Sequence, residues 1–331
     1  MSLASTRKRT ASSTDIRIGT SGWSYPTGEG RWNGIFYPPA GRRRRGSGKF
    51  DELRFYAEHF DTVEINSTFY RIPAPATAAS WAKRTPANFE FSLKLFQKFT
   101  HPEMFQKATG ADPLDLGTKD VDDFRAAVDP LAAAGKLGAL LAQFPASFKN
   151  EANTRGYLGW LLEQFREYDV AVELRHRSWS DQAGDTMQVL EQFGAAWTQI
   201  DEPKFRYSVR QNLLPNVKGF YYLRLHGRNA AQWWKHEKSD DRYNYLYSAR
   251  ELEPFAEAVE EVSRRDLKKA YVYANNHFSA KSVANAAILK HQLDQDVPGE
   301  YTEEMIERYP DLKGIVKILP APAARKGLLD E

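Results

Sequence analysis

Eight short apolar runs recur along this chain, and nearly every one ends in a cluster of polar or charged residues. They are IRIGTSGW (16–23), TVEINSTFYR (62–71), FEFSLKLF (89–96), LGALLAQFP (137–145), VAVELRHRSW (170–179), AAWTQID (195–201), GFYYLRLHGR (219–228) and AYVYANNHF (270–278). Apolar strand bodies with functional groups at their carboxyl ends are what a (β/α)8 barrel presents to its substrate. Segments with helical spacing lie between the runs, at 50–60, 76–84, 119–134 (with Thr118 as N-cap), 154–167, 185–193, 249–264 and 279–293, the last opening at Ser279. Strands alternating with helices predict parallel strands joined by crossovers. A doubly wound open sheet would gather its functional groups at one switch point behind a Gly-rich phosphate loop, and no such loop is present.

The fold class expected is therefore α/β, a single (β/α)8 TIM-type barrel with long loops at its carboxyl face. It is expected over residues 15–298, after a disordered basic leader (1–14) and before a C-terminal helix (302–309) and tail within 299–331. Such barrels often exceed ~250 residues as one domain, so 331 residues suffice. The chain has no cysteine, which excludes disulfides, thiolate nucleophiles and Cys-ligated metal centres. No run approaches the ~18 apolar residues of a membrane helix. The N-terminal stretch lacks the apolar core of a secretory signal, so the cytoplasm is the expected compartment. Net charge is only +3, but Arg42, Arg43, Arg44 and Arg45 form an unbroken basic run in the loop after the first strand.

Strand alternation sorts the strand tips. Val63 and Ile65 should meet the helices, which turns Glu64 and Asn66 toward the barrel axis. The same logic sends Ser92 and Lys94, then Glu173 and Arg175, then Arg224 and His226 inward, with His176 at the rim. Gln143 closes the fourth strand, and Asn275 and Asn276 follow the last. Trp23 is expected to wall the pocket, with Gly19 and Gly22 letting the backbone approach a ligand. The competing reading is a structural lattice of ion pairs. That is a poor way to fill a barrel, because desolvation offsets most of the gain and branched apolar residues fill it at lower cost.

The segments TSGWSY, FYPP, FDTVEINSTFYR, VELRHRSW, YLRLHGR, RYNYLYS and NNHF together resemble the domain of unknown function 72, or YecE-like, family over about residues 16 to 293. The resemblance implies a TIM-type barrel and brings no reaction with it. The basic stretch GRRRRGSGK (41–49) departs from the family's usual pattern.

The inward set suits an enzyme of small anionic substrates, a phosphate ester or phosphosugar. In that reading Glu64 or Glu173 is the base and His226 an acid or base. Arg175 and Arg224 clamp the anion, and Asn66, Lys94, Gln143, His176, Asn275 and Asn276 complete the binding set. No cofactor is expected. A divalent-metal phosphodiesterase, endonuclease or sugar isomerase is an alternative that would draw on Glu64, Glu173, Asp201, His176 and His226, but no metal-ligand spacing supports it. A nucleic-acid-binding module is another, using Arg42 to Arg45 with Trp233, Trp234 and the tyrosines of the long seventh loop to hold phosphates and stack bases. Retaining glycoside hydrolysis needs carboxyls ~5 Å apart, and strands two and five should hold theirs too far around the ring. His101 reads as a solvated loop histidine, and His59 has no assigned role.

Overall fold

A computed structural model describes residues 14–39, 50–110, 117–211, 219–235, 237–265 and 267–320. The strands are β1 (Asp15–Ser21), β2 (Thr62–Ile65), β3 (Glu90–Lys94), β4 (Leu137–Gln143), β5 (Val170–Glu173), β6 (Ala196–Trp197), β7 (Gln199–Asp201), β8 (Phe220–Leu225) and β9 (Lys269–Ala274). They pair in the order β6-β5-β4-β3-β2-β1-β9-β8-β7, and every pairing is parallel. Only Thr198 separates β6 from β7, so the nine segments occupy eight positions. The ring closes through that broken strand, whose first half pairs with β5 and second half with β8. This is the eight-stranded parallel barrel that the alternation of runs and helices predicts.

Helices follow where the apolar spacing placed them, at Glu52–Ala57, Pro75–Lys83, Thr118–Ala133, Ala152–Gln164, Ala183–Gln192, Ala249–Ser263 and Lys281–Gln292. Their starts fall within two residues of the reading, and two of the differences have a visible cause. Gly117, not Thr118, is the N-cap of the third, and its N–H donates to the Asp120 carboxylate at 3.0 Å. The last begins two residues late because Ser279 and Ala280 hold φ of 54° and 63°. The chain reverses sharply there, pinned by Ser279 N–H on the Gly30 carbonyl and by the Tyr309 hydroxyl on the Ser279 carbonyl.

Outward strand residues such as Val63, Ile65, Phe91 and Leu93 join the helices in one large core. The barrel interior is filled differently from the branched-aliphatic norm. Phe220, Tyr222, Tyr271 and Tyr273 project from β8 and β9 against Ala139, Leu141, Ala171 and Ala196 from β4 to β6. Large rings on one side require small residues on the other. At Gly138 an added Cβ would come within 3.0 Å of Ser92 Oγ and 3.3 Å of the Tyr271 hydroxyl. The hydroxyls find buried partners: Tyr271 donates to Glu90 at 2.7 Å, Tyr273 to Ser92 at 2.9 Å and Tyr222 to Glu64 at 2.7 Å. Buried Tyr carries bulk and a hydrogen bond together, so polar groups run from the bottom of the barrel to its mouth.

Glycine 19 serves the barrel and not a ligand. A Cβ there would sit 2.2 Å from the Thr62 carbonyl oxygen, so its absence lets β1 and β2 approach. After the last helix, Glu300–Tyr301 pairs with Lys317–Ile318, and Thr302 caps the helix Glu303–Arg308, which buries Met305 and Ile306. His59 ties this segment down, with Nε2 3.0 Å from the Glu300 carbonyl oxygen. Among the described residues no helix is long and apolar enough to cross a membrane.

Candidate functional site

A cavity of about 540 Å³ opens at the carboxyl ends of the strands. Its wall includes Asn66 after β2, Lys94 ending β3, Gln143 ending β4, Arg175 after β5, Arg224 of β8 and Asn275 after β9. Residues scattered over more than 200 positions of sequence meet because each closes a neighbouring stave of one ring.

Beneath that wall lies a closed ion network. Arg224, 2% exposed, donates from Nη2 to Glu64 Oε1 at 2.7 Å and from Nη1 to Glu173 Oε2 at 2.5 Å. Glu64 also accepts from the Ser21 hydroxyl at 2.7 Å and the Tyr222 hydroxyl at 2.7 Å. Glu173 accepts from Arg175 Nε at 2.7 Å. Both carboxylates are fully buried and do not border the cavity. Two carboxylates from strands two and five therefore share one guanidinium, so the expectation that the ring holds them far apart does not stand. With both oxygens of each already accepting hydrogen bonds, neither is poised to take a proton from a substrate.

The electrostatics of the network follow from burial and from the two guanidinium groups. Burial pushes the Glu173 carboxyl up, but Arg224 and Arg175 outweigh it and hold it well below the usual carboxylate range. His226 is fully buried below the cavity wall, and burial reinforced by Arg224 lowers it to about 3 despite Glu173. Its Nδ1 faces the Asn275 amide nitrogen at 2.8 Å, which leaves the ring proton on Nε2, 3.4 Å from Glu173 Oε1. A neutral histidine held this way orients Asn275 and Glu173 and is not an acid at neutral pH.

Lys94 differs from every one of these groups. Its Nζ has no hydrogen bond or ion pair among the described residues and rests 3.8 Å from the centre of the Phe69 ring. Burial, then Arg224 and Arg175, lower its amine to about 7. Of the buried polar atoms without a hydrogen-bond partner among the described residues, two belong to residues that border the cavity, Asn66 Oδ1 and Glu202 Oε2. Glu202 is raised by burial, although Arg175 opposes this from 3.6 Å.

The upper walls are aromatic. Tyr25 stacks on His277 with centroids 4.3 Å apart, and Tyr243 packs tilted against the same ring at 4.9 Å. Phe205 and Tyr207 stack at 5.6 Å, with Trp234 leaning on both and 60% exposed, while Trp233 is buried. His101 is not a solvated loop residue. It sits on the helix boundary after β3, packs edge-on against Phe69 and lines the cavity, lowered to about 3 by burial and by Lys94.

Three of the expected pocket residues lie elsewhere. His176 caps the short helix Arg177–Asp181, its Nδ1 accepting from the Ser178 N–H at 3.2 Å. Asn276 turns away from the axis and donates to the Tyr245 carbonyl and to Asn285 Oδ1. Trp23 packs edge-on against Trp81 beside a separate shallow groove. Each follows a strand end in a loop, where two-residue alternation no longer governs direction. Arg42 to Arg45 lie outside the described residues. Asp201 is engaged by Arg228 at 2.8 Å and the Tyr247 hydroxyl at 2.7 Å. Among the described residues no group of three or more His, Asp or Glu could hold a metal ion. Tyr25, Phe69, Glu202, Phe205, Tyr207 and Tyr243 also line the cavity; the first two and Tyr243 lie in the segments quoted above, whereas Glu202, Phe205 and Tyr207 fall in no motif.

The model of a family described as "Protein of unknown function DUF72" matches residues 17–307. The UPF0759 protein YunF of Bacillus subtilis is 28% identical over 291 residues, covering 86% of this chain and 96% of that protein. The UPF0759 protein YecE of Escherichia coli is 28% identical over 161 residues, 49% of this chain and 48% of its own. Among solved structures, a DUF72 family protein from Thermotoga maritima superposes with TM-score 0.67 at 32% identity, covering 85% of this chain and all of that one. Another from Enterococcus faecalis gives TM-score 0.70 at 25% identity over 84% of this chain and 95% of its own.

Proposed function

The chain belongs to the DUF72 family of unknown function, and from that premise we propose that it is an enzyme acting on a small anionic substrate, a phosphate ester or phosphosugar. One observation carries the reading. Of the charged side chains bordering the cavity, four are basic (Lys94, Arg175, Arg224, Arg242) and two acidic (Glu202, Asp240). Glu64 and Glu173 stand behind the wall, so an entering ligand meets the cations first. A guanidinium suits phosphate geometry, and the aromatic walls suit the apolar face of a sugar. The cavity volume also falls in the ~300–1,000 Å³ range of small-molecule sites.

Thermal unfolding with paired ligands tests this. Dihydroxyacetone phosphate and sugar monophosphates should raise the melting temperature, and their unphosphorylated counterparts should not. A ligand at about 100 times its Kd adds about 2.7 kcal/mol of stability. Arg175→Gln should abolish the shift. A panel of phosphorylated compounds that produces no shift, or a shift untouched by Arg175→Gln, rejects the reading.

The exposed Trp234 beside the Phe205–Tyr207 stack favours a second reading, single-stranded nucleic acid stacked at the cavity mouth. Its signature is affinity that falls with salt, at a log–log slope near −0.7 per phosphate neutralised. A flat salt profile, or Trp234→Ala without effect on binding, rejects it.

A further inference from the structure

We propose that the Lys94 amine is a covalent nucleophile that condenses with an aldehyde or ketone of the substrate to give a Schiff base. The inference rests on the anionic-substrate reading and deepens it, since it narrows the substrate to a phosphorylated carbonyl compound.

Contrast between the half-buried Lys94 and the buried lysines carries the argument. Lys98 Nζ donates to both oxygens of Asp120 at 3.0 and 2.9 Å. Lys136 Nζ donates to the Ala82 and Thr85 carbonyls at 2.6 and 2.7 Å, and Lys290 Nζ to Gln295 at 3.3 Å. A structural lysine in this fold thus finds an oxygen. Among the described residues Lys94 finds only the Phe69 ring, and it opens on the cavity at the carboxyl end of β3. A cation resting on a phenylalanine ring gains too little to repay its desolvation beside two guanidinium groups. Apolar contact and neighbouring positive charge are the two ways a lysine is made nucleophilic. Both act here, and an amine lowered to about 7 is half unprotonated at neutral pH.

The cavity also holds what the condensation needs. The Nζ lone pair adds to the carbonyl carbon, a C–N bond forms, and the C=O π pair moves to oxygen. One proton passes from nitrogen to that oxygen. Glu202, buried at the cavity wall and with Oε2 lacking a hydrogen-bond partner among the described residues, is placed to relay a proton to the hydroxyl. Water leaves as the nitrogen lone pair closes the C=N bond, leaving a protonated iminium and the Glu202 carboxylate. Asn66 Oδ1, the other unpartnered acceptor at the wall, can hold a substrate hydroxyl meanwhile.

Borohydride trapping tests the proposal on the unmodified full chain. Incubation with dihydroxyacetone phosphate and sodium borohydride should reduce the iminium to a stable secondary amine. Intact mass should show one adduct per chain, and peptide mapping should place it on Lys94, at least tenfold faster than on any other lysine. Its rate should rise with pH to half-maximum near 7. An ordinary surface lysine follows a midpoint near ~10.4. Lys94→Arg should lose the adduct while still melting cooperatively. Adducts spread evenly over surface lysines, or a Lys94 midpoint near that of a free amine, overturn the proposal. A thermal shift with dihydroxyacetone phosphate but no trapped adduct also overturns it, while leaving the anionic-substrate reading intact. Equal trapping of unphosphorylated dihydroxyacetone on Lys94 upholds the nucleophile and removes the phosphate.

Discussion

Replacing Arg224 with methionine isolates the energetics on which the site is built. Methionine keeps much of the side-chain volume and removes the charge. The three bonds lost are Nη2 to Glu64 at 2.7 Å, Nε to Glu64 at 3.2 Å and Nη1 to Glu173 at 2.5 Å. Glu173 keeps Arg175, but Glu64 keeps only the Ser21 and Tyr222 hydroxyls. Removing one partner of a buried ion pair costs about 3–5 kcal/mol, chiefly because the remaining charge is stranded. Arg224→Met should therefore lose about that much at neutral pH, measured by urea unfolding followed by far-UV circular dichroism. Glu64→Gln in the same chain should return at least half of the loss.

The pH dependence gives an independent check. In the native protein Glu173 sits below its unfolded value, so its contribution is complete above about pH 4.3 and fades as pH falls through the folded value. In Arg224→Met the carboxylate left without a guanidinium instead takes up a proton that the unfolded chain releases. The variant then gains stability relative to the parent as pH falls, and the gap at pH 5 should be smaller than at pH 7. A loss under about 1 kcal/mol at pH 7 would refute the claim that Arg224 holds the two carboxylates together, because stranding a buried charge costs more. A gap that does not narrow at pH 5 would refute it equally.

Two further outcomes follow from the same geometry. His101 and His226 are lowered to about 3 and His277 to about 4, in each case mainly by burial. The unfolded chain protonates these rings below about pH 6.5 while the folded chain does not, so stability declines as pH drops. Potentiometric unfolding near pH 5 should show these three rings taking up about three protons, with His59 and His176, also lowered by burial, adding to the total, and uptake of less than one would contradict their neutrality in the fold. At the barrel wall, Gly19→Ala places a methyl 2.2 Å from a backbone oxygen and should destabilise by roughly 3 kcal/mol, the upper end of ordinary overpacking. A urea midpoint unchanged from the parent would show that β1 and β2 can separate without cost.

What the sequence alone determined was the barrel and the identity of its inward tips. Parallel strands joined by helices need alternating periods of two and 3.6, and both are written in the apolar pattern. Alternation also turned Glu64, Lys94, Glu173 and Arg224 inward, because within a strand direction is a local property. Tertiary structure decided how those tips combine. Whether Arg224 faces a ligand or joins Glu64 and Glu173 depends on depth and angle around the ring, which no single strand encodes. It likewise decided that tyrosines fill the barrel opposite alanines, that His176 caps a helix, and that His101 reaches the cavity. Loop residues take their direction from contacts made across the fold, and one tip, Lys94, has no acceptor among the described residues while Glu64 and Glu173 are held by guanidinium groups.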